Sequence, residues 1–284
     1  MSGNALFLLT NYAESGVVSA STETPTAPAG NVQNSQRGEF WRSDFGGSSY
    51  LDLTLPAART ISHIAIVDTN ITVNGTIQVE AWDDAIDGVT QTVDITVAPN
   101  LYVDPNEVAI PFGEGAYGAG PFGAVESSAL INGRNVTLIA LPSGVTSPFI
   151  RVTFADDDTS WQECGVLFVA SAEQFDVNLS YGWQASRIER SAFRESLGGR
   201  RFVQQRDGRL VIQGQFEWLS DAERTRMLIT LQRFGEFRPL LFSVIPETTD
   251  EGLTTTVYGT LRGSSLNHHN ANLNRLQFQA VEEL

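Results

Sequence analysis

The chain has 284 residues, enough for one large or two ordinary domains that each bury a core. Its hydrophobic content of 42% is that of a folded protein, and a net charge of −15 excludes the phosphate neutralisation from which nucleic-acid binding draws its affinity. A single cysteine, Cys164, excludes an intrachain disulfide framework and a thiolate metal cluster.

All 18 basic residues are arginine, and they are unevenly placed. Residues 1–170 carry 5 Arg against 19 acidic residues, whereas residues 171–284 carry 13 against 14. This change of charge regime divides the chain into expected units 1–172 and 173–284. No stretch approaches the roughly 18 apolar residues of a membrane span, and ALFLL near the start lacks the flanks of a signal peptide. A soluble chain without export signal or membrane insertion is expected.

In chain order, a long polar loop (19–49) comes first, carrying Phe40, Trp41 and Phe45. Its rings either tuck under a sheet edge or, at Trp41, offer an exposed stacking platform. YLDLTLP (50–56) then alternates apolar and polar residues with the period of a half-buried strand. ISHIAIVDT (61–69), GTIQVEAW (75–82), QTVDITVA (91–98), NVTLIAL (135–141), FIRVTFA (149–155) and GVLFVAS (165–171) repeat the type. Gly, Pro, Asn and Asp punctuate these runs, which predicts an antiparallel sandwich or jelly roll.

The second unit predicts further strands in WQASRIERS, RRFVQQRDGRLVIQGQFEW, PLLFSVIPE, TTTVYGTLRG and LNRLQFQAVEEL, with an Asp-Gly turn in RDGR. One helix is predicted over 220–234. Ser220 and Glu223 form a capping box, Met227, Leu228, Leu231 and Phe234 share a face, and Gly235 stands at the stop. The fold class is therefore mainly β, a jelly-roll sandwich followed by a second sandwich carrying one α-helix.

Chemical motifs are few. DDAIDGVTQTVD (83–94) resembles a calcium loop, but Ala85 stands where an oxygen ligand belongs, so a hairpin turn is expected. ADDDTS (155–160) reads as a solvated acidic turn, with a calcium loop as the rival. His63 sits in an apolar strand and is expected to be a hydrogen-bonded structural residue, while adjacent His268 and His269 make a poor metal pair. Cys164 lies in an apolar run, as a buried and inert thiol would. No nucleophile elbow or zinc motif is found, so no catalytic, cofactor or metal residues are assigned and no enzyme activity is expected.

PFGEGAYGAGPFG (111–123) contains G-x-G-x-x-G twice. A dinucleotide site needs a strand before the glycines and a helix after them, and neither flank supplies it. The glycines instead alternate with Phe112, Tyr117 and Phe122, which suggests a contact loop with aromatic anchors.

YLDLTLPAARTISHIAIVDTN followed by SPFIRVTFADDDTSWQECGVLFVAS resembles the discoidin-like, galactose-binding-type jelly roll. The second half, from SYGWQASRIERSAFRE through QFEWLSDAERTRMLITLQRFGEFRPLLFSVIPE, resembles segments of bacteriophage tail-tip and baseplate proteins. The resemblance implies a virion structural protein made in a bacterial cytoplasm. It would assemble with other tail proteins and with itself, as a ring homo-oligomer, through the C-terminal unit. Arg187, Arg190, Arg194, Arg200 and Arg201 would then be candidate interface residues, arginine being enriched where subunits meet. The alternative implied by the jelly roll is a carbohydrate-binding module for host-surface glycans. Trp41, Phe112, Tyr117 and Phe122 are its candidate contact aromatics.

Overall fold

A computed structural model describes residues 4–72, 74–99, 136–142, 145–188, 191–195, 201–204, 208–234, 237–246, 255–270 and 273–283. Along the chain run β1 (Leu6–Leu8), β2 (Val17–Ala20), β3 (Trp41–Arg42), β4 (Gly47–Thr60), β5 (His63–Thr69) and β6 (Thr76–Trp82). Then come β7 (Gln91–Val97), β8 (Val136–Ala140), β9 (Thr146–Asp156), β10 (Glu163–Ala170), β11 (Ala172–Gln174) and β12 (Gln184–Ile188). The remainder is β13 (Ala192–Glu195), β14 (Arg201–Gln204), β15 (Arg209–Leu219), α1 (Asp221–Phe234), β16 (Leu240–Ser243), β17 (Thr256–Asn270) and β18 (Leu273–Glu282). The mainly-β class is as predicted, and α1 is the one α-helix among the described residues.

Two sheets form the first sandwich, one of five strands ordered β2-β4-β9-β6-β7 and one of four ordered β3-β10-β5-β8. Their facing sides enclose a core that includes Leu51, Leu53, Ile64, Ile66, Val152, Phe154, Leu167 and Val169. On the five-stranded sheet the alternation is clean: Leu51, Leu53 and Leu55 point inward, with half-exposed polar residues between them. In β5 and β10 the runs IAIV and VLFVA are apolar at successive positions because the four-stranded sheet is buried on both faces. Its other face presents Ala65, Val67, Val166, Phe168 and Ala170 to Leu6, Leu8, Leu241 and Tyr258 of a third sheet.

That third sheet has seven antiparallel strands in the order β11-β1-β16-β17-β18-β15-β12. Its far side packs Phe7, Phe216, Phe242 and Phe278 into an aromatic cluster, with Met227 of α1 in the same core. The described layers thus stack as five-stranded sheet, four-stranded sheet, seven-stranded sheet and helix. Strand β1 comes from the start of the chain yet pairs with β11 and β16, so the third sheet draws on both sides of the 172/173 division. Its alternation explains why: Leu6 and Leu8 face the first sandwich while Phe7 faces the aromatic core.

The capping box forms as predicted. Ser220 N–H donates to Glu223 Oε2 at 2.9 Å and Glu223 N–H to Ser220 Oγ at 3.3 Å. The helix face differs from expectation at Leu228, which is 37% exposed. The buried positions among those described are Glu223, Met227 and Thr230, spaced by four and three residues, because Glu223 turns inward to accept from Asp176 N–H at 2.9 Å. Leu231 and Phe234 lie in the helix, but their side chains fall outside the described residues.

Candidate functional site

Loop 19–49 is held closely. Arg42 N–H donates to Ala27 O at 3.1 Å, Thr24 N–H to Arg42 O at 2.9 Å, and the Trp41 indole to Thr22 O at 3.0 Å. Trp41 is fully buried, its ring 5.7 Å from that of Phe154. The stacking platform considered for Trp41 is thereby corrected: pairing of β3 with β10 turns this indole into the core, and no face is left for a ligand. Of the other two rings in the loop, Phe45 is 55% exposed and Phe40 is half-buried.

The same pairing sets Arg42 directly opposite Glu163 at the end of the sandwich. Arg42 Nε donates to Glu163 Oε1 at 2.7 Å, and its guanidinium lies 4.9 Å from the centre of the Trp161 ring and 5.3 Å from that of Phe40. Stacking of this kind contributes about 0.5–1 kcal/mol at exposed sites. The Trp161 indole N–H donates to the same Glu163 Oε1 at 2.8 Å. Among the described residues both bonds use Oε1, which leaves Oε2 to accept from elsewhere. Trp161 remains 42% exposed, with its orientation fixed at the rim and on the ring.

Neighbouring turns hold this group in place. Asn70 donates its amide N–H to Trp161 O at 2.7 Å and accepts from Glu163 N–H at 2.7 Å, clamping the segment from both ends. Between the two outward residues, Gln162 points inward, fully buried, and donates to Gly47 O at 3.0 Å. Ser43 Oγ accepts from Gln162 N–H at 2.9 Å. A Cβ on Gly46 would stand 2.0 Å from Thr159 O, so only glycine lets the two turns meet this closely.

The acidic turn behind them is occupied with its own loop. Asp156 is buried and accepts from Thr72 N–H at 2.6 Å and Asp158 N–H at 2.9 Å, while Asn74 donates to Asp158 at 2.8 Å. These carboxylates tie two turns together. Among the described residues no group of three His, Cys, Asp or Glu is arranged to hold a metal. The 83–94 segment is a β6–β7 hairpin in which Asp84 accepts from Ala85, Val89 and Thr90 N–H, while Asp87 pairs with Arg151 at 2.7 Å.

His63 Nδ1 lies 2.9 Å from Ser62 Oγ, and burial pushes its imidazole pKa down, in keeping with a structural role. Cys164 is fully buried, and burial drives its thiol pKa far above the usual value, so a thiolate is not accessible. Arg187 is exposed on β12 and Arg194 is exposed on β13, two strands that belong to different sheets. Arg201 opens β14, though its side chain, like Arg190 and Arg200 as a whole, lies outside the described residues. Phe112, Tyr117, Phe122 and the glycine-rich segment fall outside them as well.

Arg42, Trp161 and Glu163 were therefore not singled out from the sequence. The signal was present as two short runs, FWR with an aromatic beside a charge and WQE with the two one residue apart, but 118 intervening residues separate Arg42 from Trp161. Only the β3–β10 register joins them.

A comparison with protein-family models and with curated proteins finds no match. Among solved structures the chain is similar to the family 32 carbohydrate-binding module of C. perfringens NanJ in complex with galactose. Identity is 17% and the TM-score 0.36, over 58% of this chain and 98% of that one. It is similar to chitosan-binding module 1 of a Paenibacillus sp. IK-5 chitosanase/glucanase at 14% identity and TM-score 0.37, covering 57% and 99%. A Streptococcus pneumoniae fucose-binding module, SpX-3, matches at 10% identity and TM-score 0.38, covering 57% and 98%.

Proposed function

We propose that this protein binds carbohydrate at the end of its first sandwich, with a sugar ring stacked on Trp161 and its hydroxyls bonded to Glu163 and Arg42. One observation carries the reading: a 42% exposed Trp161 is braced by Arg42 over its ring and by Glu163 at its indole nitrogen. Sugars present an apolar C–H face and a rim of hydroxyls. A fixed aromatic plane beside a guanidinium and a carboxylate is complementary to both. Phe45 adds a second exposed ring from the adjoining turn.

The test is affinity electrophoresis and an oligosaccharide array with the full chain. Trp161→Ala is expected to weaken binding at least about tenfold, through loss of ring stacking. Retention of every bound oligosaccharide at the parent level by Trp161→Ala sinks the assignment.

The tail-component reading is proposed as the setting in which such a module works, with residues 173–284 attaching it to the particle as a homo-oligomer or through other tail proteins. The supporting observation is β12, an edge strand exposed at all five positions and carrying Arg187. Immunogold labelling that misses the tail of virions, together with a monomer in sedimentation, would rule it out.

A further inference from the structure

One face of the seven-stranded sheet extends past the first sandwich, and its side chains follow from register. Gln213 of β15 lies opposite Gln279 of β18, and Gln215 lies opposite Gln277, so QGQ and QFQ place four amides on one side. Arg275 continues the β18 row, and Ser265 of β17 joins it opposite Gln277. The groups are linked: Gln215 donates to Glu217 Oε1 at 3.1 Å and accepts from Arg275 Nη2, and Ser265 Oγ lies 3.4 Å from Gln277 Oε1. The intervening residues Phe216, Leu276, Phe278 and Ala280 are buried in the aromatic core on the other side.

Trp218 stands at the end of this row. Alternation after the inward Phe216 and the outward Glu217 would send Trp218 into the core. Instead the register between β15 and β18 shifts between Phe216 and Leu219, and Leu219 takes the buried place. Trp218 has φ of +70° and is 60% exposed. A bulky residue in the left-handed region is strained, and bulges re-aim side chains, so the local backbone is spent on holding an indole in solvent.

We propose that this face is a second carbohydrate-binding surface, taking a neutral oligosaccharide stacked on Trp218 and hydrogen-bonded to Gln213, Gln215, Gln277 and Arg275. Amides supply a donor and an acceptor side by side, which matches vicinal hydroxyls. The charges of Arg275 and Glu217 lie 3.7 Å apart and offset each other, which favours a neutral ligand. A protein-docking patch would carry an apolar centre, whereas this row offers one indole among hydrogen-bonding groups. From Gln213 to Glu217 the strand spans about 13 Å, room for a short chain of sugars and not just one ring. The surface is independent of Trp161.

The experiment uses the full chain against an array of neutral oligosaccharides built from galactose, glucose, fucose or N-acetylhexosamine, followed by calorimetric titration of the tightest ligand. The expected result is that Trp161→Ala retains binding of at least one oligosaccharide. Trp218→Ala and Gln277→Ala should each weaken that binding at least about tenfold. Trp218→Gly relieves the backbone and should lose the ligand equally while melting no lower than the parent. Parent-like titration by both Trp218 variants overturns the proposal, even if Trp161→Ala has lost all binding and the first site stands. So does a Trp218→Ala variant that changes only sedimentation, since the indole then contacts a second copy. Loss in the Trp218 variants with no effect of Trp161→Ala upholds this surface and removes the other.

Discussion

Arg37 ties together three stretches of chain that are far apart in sequence. Its side chain is only 4% exposed, with Nε and Nη2 each 2.5 Å from an oxygen of Asp68 and Nη1 2.9 Å from Glu282. Nη1 also donates to Glu283 O at 2.7 Å. Burial opposes its charge, but the bonds and charges of Asp68 and Glu282 outweigh that and raise its pKa. Removing one partner of a buried ion pair leaves uncompensated charge and typically costs about 3–5 kcal/mol. Arg37→Met is accordingly expected to lower the unfolding free energy, extrapolated from urea titration, by an amount in that range. Asp68→Asn in the same background should recover part of the loss, which a double-mutant cycle measures. Gly259 is constrained in a different way: a Cβ there would lie 1.9 Å from Val281 O, so β17 and β18 approach closely only with glycine.

At the scale of elements, α1 starts at a carboxylate shared by two segments. Burial works against ionisation of Glu223, yet the bonds from Asp176 N–H and from Ser220 N–H and hydroxyl hold its carboxyl below the ordinary range. A carboxyl with a depressed folded pKa stabilises the fold above its unfolded value and loses that contribution as pH falls through the folded one. Stability contributed by Glu223 is thus full at neutral pH and declines below about pH 4.5, near the unfolded value for Glu. Glu223→Gln should flatten that part of the stability–pH curve, and Ser220→Ala should cost about 1 kcal/mol by thermal unfolding. The capping box was legible in the sequence because its partners are three residues apart. The inward turn of Glu223 was not, because Asp176 lies in a different part of the chain and meets α1 only after the sheet forms.

Across the whole molecule, the four-stranded sheet has no solvent face, and that binds the two halves into a stack. Val67, Val166, Phe168 and Ala170 are covered by Leu6, Leu8, Leu241 and Tyr258. Tyr258 adds a hydrogen bond from its hydroxyl to Ser35 O at 2.9 Å. A fragment of residues 10–171 would lack β1 and the third sheet and would expose this apolar face. It is expected to bind a hydrophobic dye and to aggregate, whereas the full chain does not, as light scattering would show. The continuous apolar runs IAIV and GVLFVA already carried this information. A strand wet on one side alternates, and these do not.

The sequence by itself determined what depends on neighbours along the chain: strand periodicity, the hairpin at 83–90, helix α1 with its cap, and the inert environment of Cys164. Tertiary structure alone decided what depends on register between distant strands. It buried Trp41, set Arg42 against Glu163 beneath Trp161, aligned two glutamine pairs beside Trp218, and enrolled β1 in the third sheet. Each of these turns on which residue faces which across a ladder. A shift of one position reverses every side chain, and no local pattern fixes that choice.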